Sequence, residues 1–239
     1  MGYDERMQRT ARMIGLEGVE ILRNSHVALF GLGGVGSYAA EALARAGVGE
    51  MTIVDADEVA VSNINRQLPA LGSTVGQKKT DVVSQRLMDI DPELKLHAVC
   101  AFHLPASPVA LAENVDYVLD AIDTVAAKVD LAVTCREKGI PLLSCMGMGN
   151  RLDPTRIRIG DLFDTAYDPL CRAMRRELRK RGVDKLECVY STEEACAPRE
   201  DVPCEQKGGR PAPASIAFVP SVAGLYMAYR CVYDLLQKQ

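Results

Sequence analysis

The chain has 239 residues, of which 48% are apolar and 25% charged, with a net charge of −4 at neutral pH. This is the balance of an ordinary globular protein, long enough for one large domain or two small ones, and its sign excludes a uniformly basic nucleic-acid binder while leaving a local basic face open. The longest apolar stretch, Phe218 to Val232, is interrupted by Pro220 and Arg230, and Met1 to Arg6 lacks the apolar core of a secretory signal, so the expected location is the cytoplasm with no membrane partner.

Eight cysteines are scattered at 100, 135, 145, 171, 188, 196, 204 and 231. No two form a CxxC pair, so a four-cysteine zinc site has no support, and free thiols are expected.

In chain order, residues 3–22 read as a helix on which Arg6, Arg9 and Arg12 share a face, either solvated or an anion contact. The apolar run His26 to Phe30 predicts a strand, and residues 35–46 carry Ala39, Ala42, Leu43 and Ala46 at helical spacing. Between them lies Gly31-Leu32-Gly33-Gly34-Val35-Gly36. A glycine turn between strand and helix leaves the backbone bare and puts free N–H groups and a helix dipole where a phosphate can sit. Asp55 ends the next predicted strand, 51–54, where a ribose-binding carboxylate belongs.

The following stretch, Asp57 and then Val61 to Gln67, is too rich in Asn63, Asn65 and Arg66 for a passive crossover, since Asn and Arg side chains suit ribose and phosphate oxygens. Gly76 to Lys79 opens a predicted helix running to Met88. Lys79 in its first turn either reaches the phosphates or lies on the surface. A strand at 94–100, a helix at 108–113 and a strand at 115–119 follow. Asp123 falls beyond that strand's carboxyl end, as a site residue, a helix N-cap, or both. With a helix to Lys138 and a strand at 140–144, the alternation predicts an α/β fold with a doubly wound, mostly parallel sheet.

From about Asp153 the pattern changes. Residues 156–159 alternate like a half-exposed strand, and a helix from Asp168 to Arg181 carries Arg172, Arg175, Arg176, Arg179, Lys180 and Arg181 against Glu177. Those cations form either a solvated face or a polyanion patch. Residues 187–190 read as a strand, 192–214 as a mobile loop over the site, and 219–237 as an apolar closing helix.

These residues together resemble the ubiquitin-activating (ThiF/MoeB/HesA-type) adenylating superfamily, through GLGGVG, Asp55-x-Asp57, Ser62-Asn-Ile-Asn-Arg66-Gln67, Gly76-x-x-Lys79 and Asp123. The resemblance implies a Rossmann-like adenylation fold that binds ATP at Gly31, Gly33, Gly34 and Gly36. It implies that Asp55 holds the ribose, that Asn65, Arg66 and Lys79 hold the triphosphate among Asp57, Asn63 and Gln67, and that Asp123 positions Mg2+. It also implies a homodimer in which Arg9 reaches the neighbouring subunit's γ-phosphate, making Arg9, Arg66, Lys79 and Asp123 the catalytic set.

The second half, through Asn150 to Thr155, Asp161 to Thr165, Asp168-Pro-Leu170, Arg175 to Gly182 and Val189 to Glu193, is similar to one branch, the tRNA threonylcarbamoyladenosine dehydratases. That branch implies one adenylation domain over 1–239, with a nucleotide-binding half to residue 150 and a substrate half from 151 to 239. Its basic helix would be the tRNA contact. A monovalent cation and a sulfur-transfer protein partner stay open.

Three other readings remain. Activation of the Gly-Gly tail of a ubiquitin-like sulfur carrier would use a cysteine, with Cys171, Cys188, Cys196 and Cys204 as candidates. An NAD-dependent oxidoreductase accounts for the glycines and Asp55 but not for Asn63, Asn65, Arg66 and Lys79. A non-catalytic ATP-binding scaffold would leave Arg66, Lys79 and Asp123 idle.

Overall fold

In the computed structural model, residues 3–166, 168–197, 199, 206–207 and 210–237 are described. A seven-stranded sheet is built from β1 (His26–Phe30), β2 (Glu50–Val54), β3 (Lys95–Val99), β4 (Tyr117–Asp120), β5 (Leu142–Cys145), β6 (Ile157–Asp161) and β7 (Glu187–Ser191). Its order is β3-β2-β1-β4-β5-β7-β6, parallel throughout except where β6 pairs antiparallel with β7. The doubly wound α/β expectation holds.

β1 and β4 are buried along their whole length, as strands covered on both faces must be. On one face pack α2 (Gly36–Ala46), α3 (Lys79–Ile90) and α6 (Phe218–Gln237), joining Leu43, Leu87 and Met227 to Leu29, Ile53 and Leu119. On the other face α4 (Val125–Lys138) packs Leu131 and Cys135 against Phe30 and Val118. There α5 (Pro169–Arg179) adds Met174 and Leu178 beside Val129 and Cys188.

The helix expected at 108–113 is absent. Six residues add too few helical hydrogen bonds to offset the cost of the first turn, and Val109 and Leu111 pack in an irregular segment against the cluster around Phe30 and Val115. The helix expected to open at Gly76 begins at Lys79. Gly76, at φ +83°, belongs instead to a turn in which its N–H donates to the Val59 carbonyl at 2.9 Å.

The first helix, α1 (Tyr3–Arg23), is broken at Gly15 (φ 77°, ψ 168°). Met7 and Val19 on either side of the break cluster together with Ala11 and Ile14. Much of the 192–214 loop, including Cys204, lies outside the described residues; its described parts include a short antiparallel pair, 206–207 with 210–211.

Candidate active site

The strand order reverses between β1 and β4, and in open α/β sheets that reversal leaves a crevice beyond the strands' carboxyl ends. The glycine turn stands there. Gly31 N–H donates to the Val54 carbonyl at 2.8 Å, and across the crevice Ala121 N–H donates to the Phe30 carbonyl at 2.8 Å. Gly31 has φ +93°, and a Cβ on it would lie 2.6 Å from the Ala121 carbonyl oxygen, so only glycine fits. Gly36 follows as the first residue of α2, pressed against the Gly31 carbonyl.

Asp55, at the end of β2, fixes this turn. Its Oδ2 accepts from Leu32 N–H at 2.7 Å and its Oδ1 from Asp57 N–H at 2.8 Å. Gly33 faces the Gln67 amide and Gly34 faces Arg66 and Pro220. The Gln67 Oε1 is buried with no hydrogen-bond partner among the described residues.

Lys79 is not the surface lysine that spacing alone allows. It is 4% exposed, its ammonium pairs with Asp57 Oδ2 at 2.8 Å, and its N–H donates to the Asp57 carbonyl at 3.0 Å. Asp57 itself is half exposed, so the pair sits at the rim with the ammonium inside. In the polar stretch, Asn63 Oδ1 accepts from Ala60 N–H at 3.2 Å, closing a short turn. Asn65 donates to the Ser215 carbonyl at 3.0 Å, and Arg66 donates to Asn65 Oδ1 at 2.7 Å and to the Ser62 carbonyl at 2.8 Å. Asn63 and Asn65 thus shape the loop that carries Arg66.

Asp123 is exposed, just before α4, and its Oδ1 accepts from the Thr124 hydroxyl at 3.3 Å. The N-cap position of α4 belongs to Thr124, so Asp123 does not take the capping role that spacing left open. Its position depends on groups that sequence reasoning passed over. Asp120 and Lys128 are both fully buried and 2.8 Å apart. The Ser144 hydroxyl donates to Asp120 Oδ2 at 2.5 Å, and Lys128 donates to the Ile122 carbonyl at 3.1 Å. This network pins residues 120–122 and so delivers Asp123 to the crevice. The available signal was that Lys128 falls in the buried stripe shared by Leu131, Ala132 and Cys135.

The second half closes over the same end of the sheet. Asn150, at φ 59°, exchanges two 2.7 Å hydrogen bonds with Ala214, and its carbonyl accepts from Cys196 N–H at 2.7 Å. Glu193 accepts from Leu152 and Asp153 N–H groups. Arg151 pairs with Asp168 at 2.8 Å, both nearly fully buried, and Asp168 also caps α5 by accepting from Cys171 N–H. Spacing suggested neither ion pair.

The structure divides the basic helix. Arg175 turns inward, donating to Thr165 Oγ1 at 2.5 Å and to the Thr165 and Leu162 carbonyls, so it is a structural tie and not part of an outward patch. Arg179 stacks 5.3 Å from the Phe163 ring centroid, and Arg176 and Lys180 both reach Glu177 at 3.0 Å. Arg172, Arg176, Arg179, Lys180 and Arg181 are exposed.

Arg9 lies exposed on α1, whereas Arg6 is drawn into an ion pair with Asp91 at 2.5 Å, so the three arginines do not act as one face. Of the candidate cysteines, Cys171 and Cys188 are buried. Burial pushes the Cys171 thiol up to about 11 and the Cys188 thiol higher still, which removes both as nucleophiles at neutral pH. Cys196 is exposed.

The ThiF family matches residues 3–238. The chain is 46% identical over 239 residues to the tRNA threonylcarbamoyladenosine dehydratase of Bacillus subtilis (strain 168), covering 96% of this chain and 94% of that protein. Its backbone superposes with a TM-score of 0.87, at 33% identity, on the crystal structure of Escherichia coli tRNA N6-threonylcarbamoyladenosine dehydratase, TcdA, in complex with ATP, covering 99% of this chain and 96% of that one. The molybdopterin-synthase adenylyltransferase of Escherichia coli (strain K12) is 38% identical over 146 residues, 59% of each chain. A doubly wound sheet with a glycine turn at its switch point and matches of this extent define the class: the chain belongs to the ThiF family. Within it, the nearly full-length similarity places the chain on the tRNA threonylcarbamoyladenosine dehydratase branch, whereas the molybdopterin-synthase adenylyltransferase matches over 59% of each chain.

Proposed function

We propose that this chain is an ATP-dependent tRNA threonylcarbamoyladenosine dehydratase. It adenylates the threonylcarbamoyl carboxylate on a tRNA adenosine, which then cyclises. The observation that carries this reading is 46% identity across 94% of the Bacillus subtilis dehydratase. The pinned glycine turn supports it.

A carboxylate is a poor electrophile because its leaving group would be oxide. In this reading its oxygen attacks the α-phosphorus, and pyrophosphate leaves with the bonding pair. A nucleophile within the same threonylcarbamoyl group then attacks the activated carbonyl and gives up its proton. AMP leaves with the former carboxylate oxygen, so water is lost overall.

The phosphates rest on Gly31, Gly33, Gly34 and Gly36 at the α2 N-terminus. Asp55 holds the ribose, and Arg66 with Asn63, Asn65 and Gln67 lines the phosphate side. Lys79 moves its ammonium from Asp57 to the triphosphate, a short step for a group already aimed at the rim. Asp123 would hold Mg2+, which when bound would offset charge building on the phosphates. The residues fit this ion: an exposed carboxylate stands on a turn locked by Asp120 and Lys128. No residue is assigned to a monovalent cation.

The working unit in this proposal is a homodimer in which Arg9 acts on the partner's phosphates. It is supported by Met13, 85% exposed one helical turn from Arg9, and Leu16, 80% exposed just past the break at Gly15, apolar side chains that a second chain would cover. The exposed cations of α5 contact tRNA phosphates. One adenylation domain spans 1–239, its halves joined by the bond from Asn65 to Ser215, and it works in the cytoplasm, where tRNA is found. Among the described residues no helix is long and apolar enough to cross a membrane. A sulfur-transfer partner has no docking residue assigned.

The deciding experiment is AMP release from ATP and Mg2+ with tRNA bearing threonylcarbamoyladenosine, against the same tRNA without the modification. Release only with the modified tRNA is expected. Pyrophosphate exchange driven by a ubiquitin-like carrier, with no tRNA response, would overturn the reading.

A further inference from the structure

At the opposite end of the sheet from the glycine turn, three adjacent parallel strands bring together His26 of β1, Glu50 of β2 and His97 of β3. The register explains the meeting. His26 stands beside Glu50, and Thr52, two residues on and on the same face, stands beside His97. His97 Nε2 lies 3.0 Å from Glu50 Oε1, and His26 Nδ1 lies 3.5 Å from the same oxygen. All three donor atoms fall within 4.8 Å of one another.

We propose that His26 Nδ1, Glu50 Oε1 and His97 Nε2 form a Zn2+ site clipping the first residues of β1 and β2 to the middle of β3. Zinc bonds to nitrogen and oxygen of about 2 Å put tetrahedral ligands about 3.3 Å apart, and the two observed spacings bracket that value. Two imidazoles with one carboxylate suit zinc rather than magnesium or calcium, which prefer all-oxygen sets.

The surroundings are also those of a metal site. His26 Nδ1 faces two acceptors, Asn114 Oδ1 at 3.1 Å and Glu50 Oε1 at 3.5 Å, and carries the ring proton toward them; an ion would displace that proton, and the other tautomer, with its proton on Nε2, is held by Thr52 Oγ1 at 2.8 Å. Asn114 Nδ2 donates to Glu50 Oε2 at 3.3 Å, and its Oδ1 lies 3.1 Å from His26 Nδ1. His26 is 2% exposed and His97 55%, so the site has a dry floor and an open side through which an ion can enter with a water as fourth ligand. None of these residues belongs to the proposed nucleotide machinery, and the inference does not depend on that function.

The test uses the full chain stripped with a chelator, with Cys100 and Cys196, the exposed thiols among the described residues, and also Cys204 changed to Ser. Equilibrium dialysis against Zn2+ is expected to show one saturable equivalent. Co2+ in its place is expected to give visible bands of a tetrahedral nitrogen–oxygen site. His97→Ala, at an exposed position, and Glu50→Gln should each weaken Zn2+ binding at least tenfold, while an unchanged circular dichroism spectrum reports an intact fold. Absence of a saturable equivalent, or unchanged affinity in both variants, would overturn the proposal. So would a sulfur-to-cobalt charge-transfer band.

Discussion

The Lys128 ammonium stands 2.8 Å from the Asp120 carboxylate at the end of the central strand, and neither residue reaches solvent. A pair buried this deeply is held by its extra hydrogen bonds to Ser144 and Ile122, and removing one partner leaves the other charge stranded. Lys128→Met should lower stability by about 3–5 kcal/mol. Lys128→Met combined with Asp120→Leu should recover much of that loss. Urea unfolding of the single and double variants checks both statements; equal losses in the two would refute the pairing argument.

Asp123 sits three residues beyond Asp120, yet in water. Asp123→Ala should change stability by no more than about 0.5 kcal/mol, as exposed substitutions do, while AMP formation disappears. A melting curve and an AMP assay on one preparation separate the two effects, and retained turnover would remove Asp123 from the metal role.

Gly224 of α6 lies against the start of α2, where an added Cβ would come within 2.3 Å of the Val35 carbonyl and 3.0 Å of Tyr38 Cβ. Gly224→Ala should therefore destabilise by about 1–3 kcal/mol through overpacking. It should also weaken ATP binding, because the displaced backbone is that of the glycine turn. Calorimetric ATP titration of the folded variant would contradict this if affinity were unchanged.

Arg175 and Arg172 are neighbours on one helix with opposite outlooks. Arg175→Ala should cost about 1–3 kcal/mol by taking the donor from the Thr165 carbonyl, while the Leu162 carbonyl keeps the Thr165 hydroxyl, with tRNA affinity in the folded protein preserved. Arg172→Ala together with Arg181→Ala should leave stability intact. The pair should reduce the salt dependence of tRNA binding by about one unit of slope per lost phosphate contact. Filter binding at several salt concentrations distinguishes them.

Burial pushes the Cys145 thiol up to about 12 and the Cys171 thiol up to about 11, from an ordinary value of 9.0. At neutral pH both are therefore protonated and shielded, and a thiol reagent at pH 8 should label Cys100 and Cys196 but not Cys145, Cys171 or Cys188 until the protein unfolds. The same shifts make folding tighter for the protonated form. That stability is fully present below about pH 9 and is lost as pH rises through 11 to 12. Cys145→Ala should flatten this alkaline decline in urea unfolding; an unchanged decline would show that the thiol has no part in it.

The strand–turn–helix around Gly31, the carboxylate Asp55 and the parallel order of the sheet were legible because each follows from local spacing. The partners of those residues were not. That Lys79 is buried against Asp57, that Arg175 turns to Thr165, and that Asp120 meets Lys128 all depend on which face each element presents to a distant one. The expected helix at 108–113 failed for a related reason: Val109 and Leu111 find apolar neighbours without forming one.

The wall facing Gly34 is Pro220, and the loop carrying Arg66 is held through Asn65 by Ser215, both from the end of the chain beyond residue 214. A ribosome that has released the first 150 residues has therefore exported every proposed nucleotide-facing group except the partner's arginine, yet no finished pocket. In the proposed reading the ATP pocket is complete only once α6 has emerged and docked on α2, so the nascent polypeptide would stay inert toward nucleotide until its synthesis is nearly over.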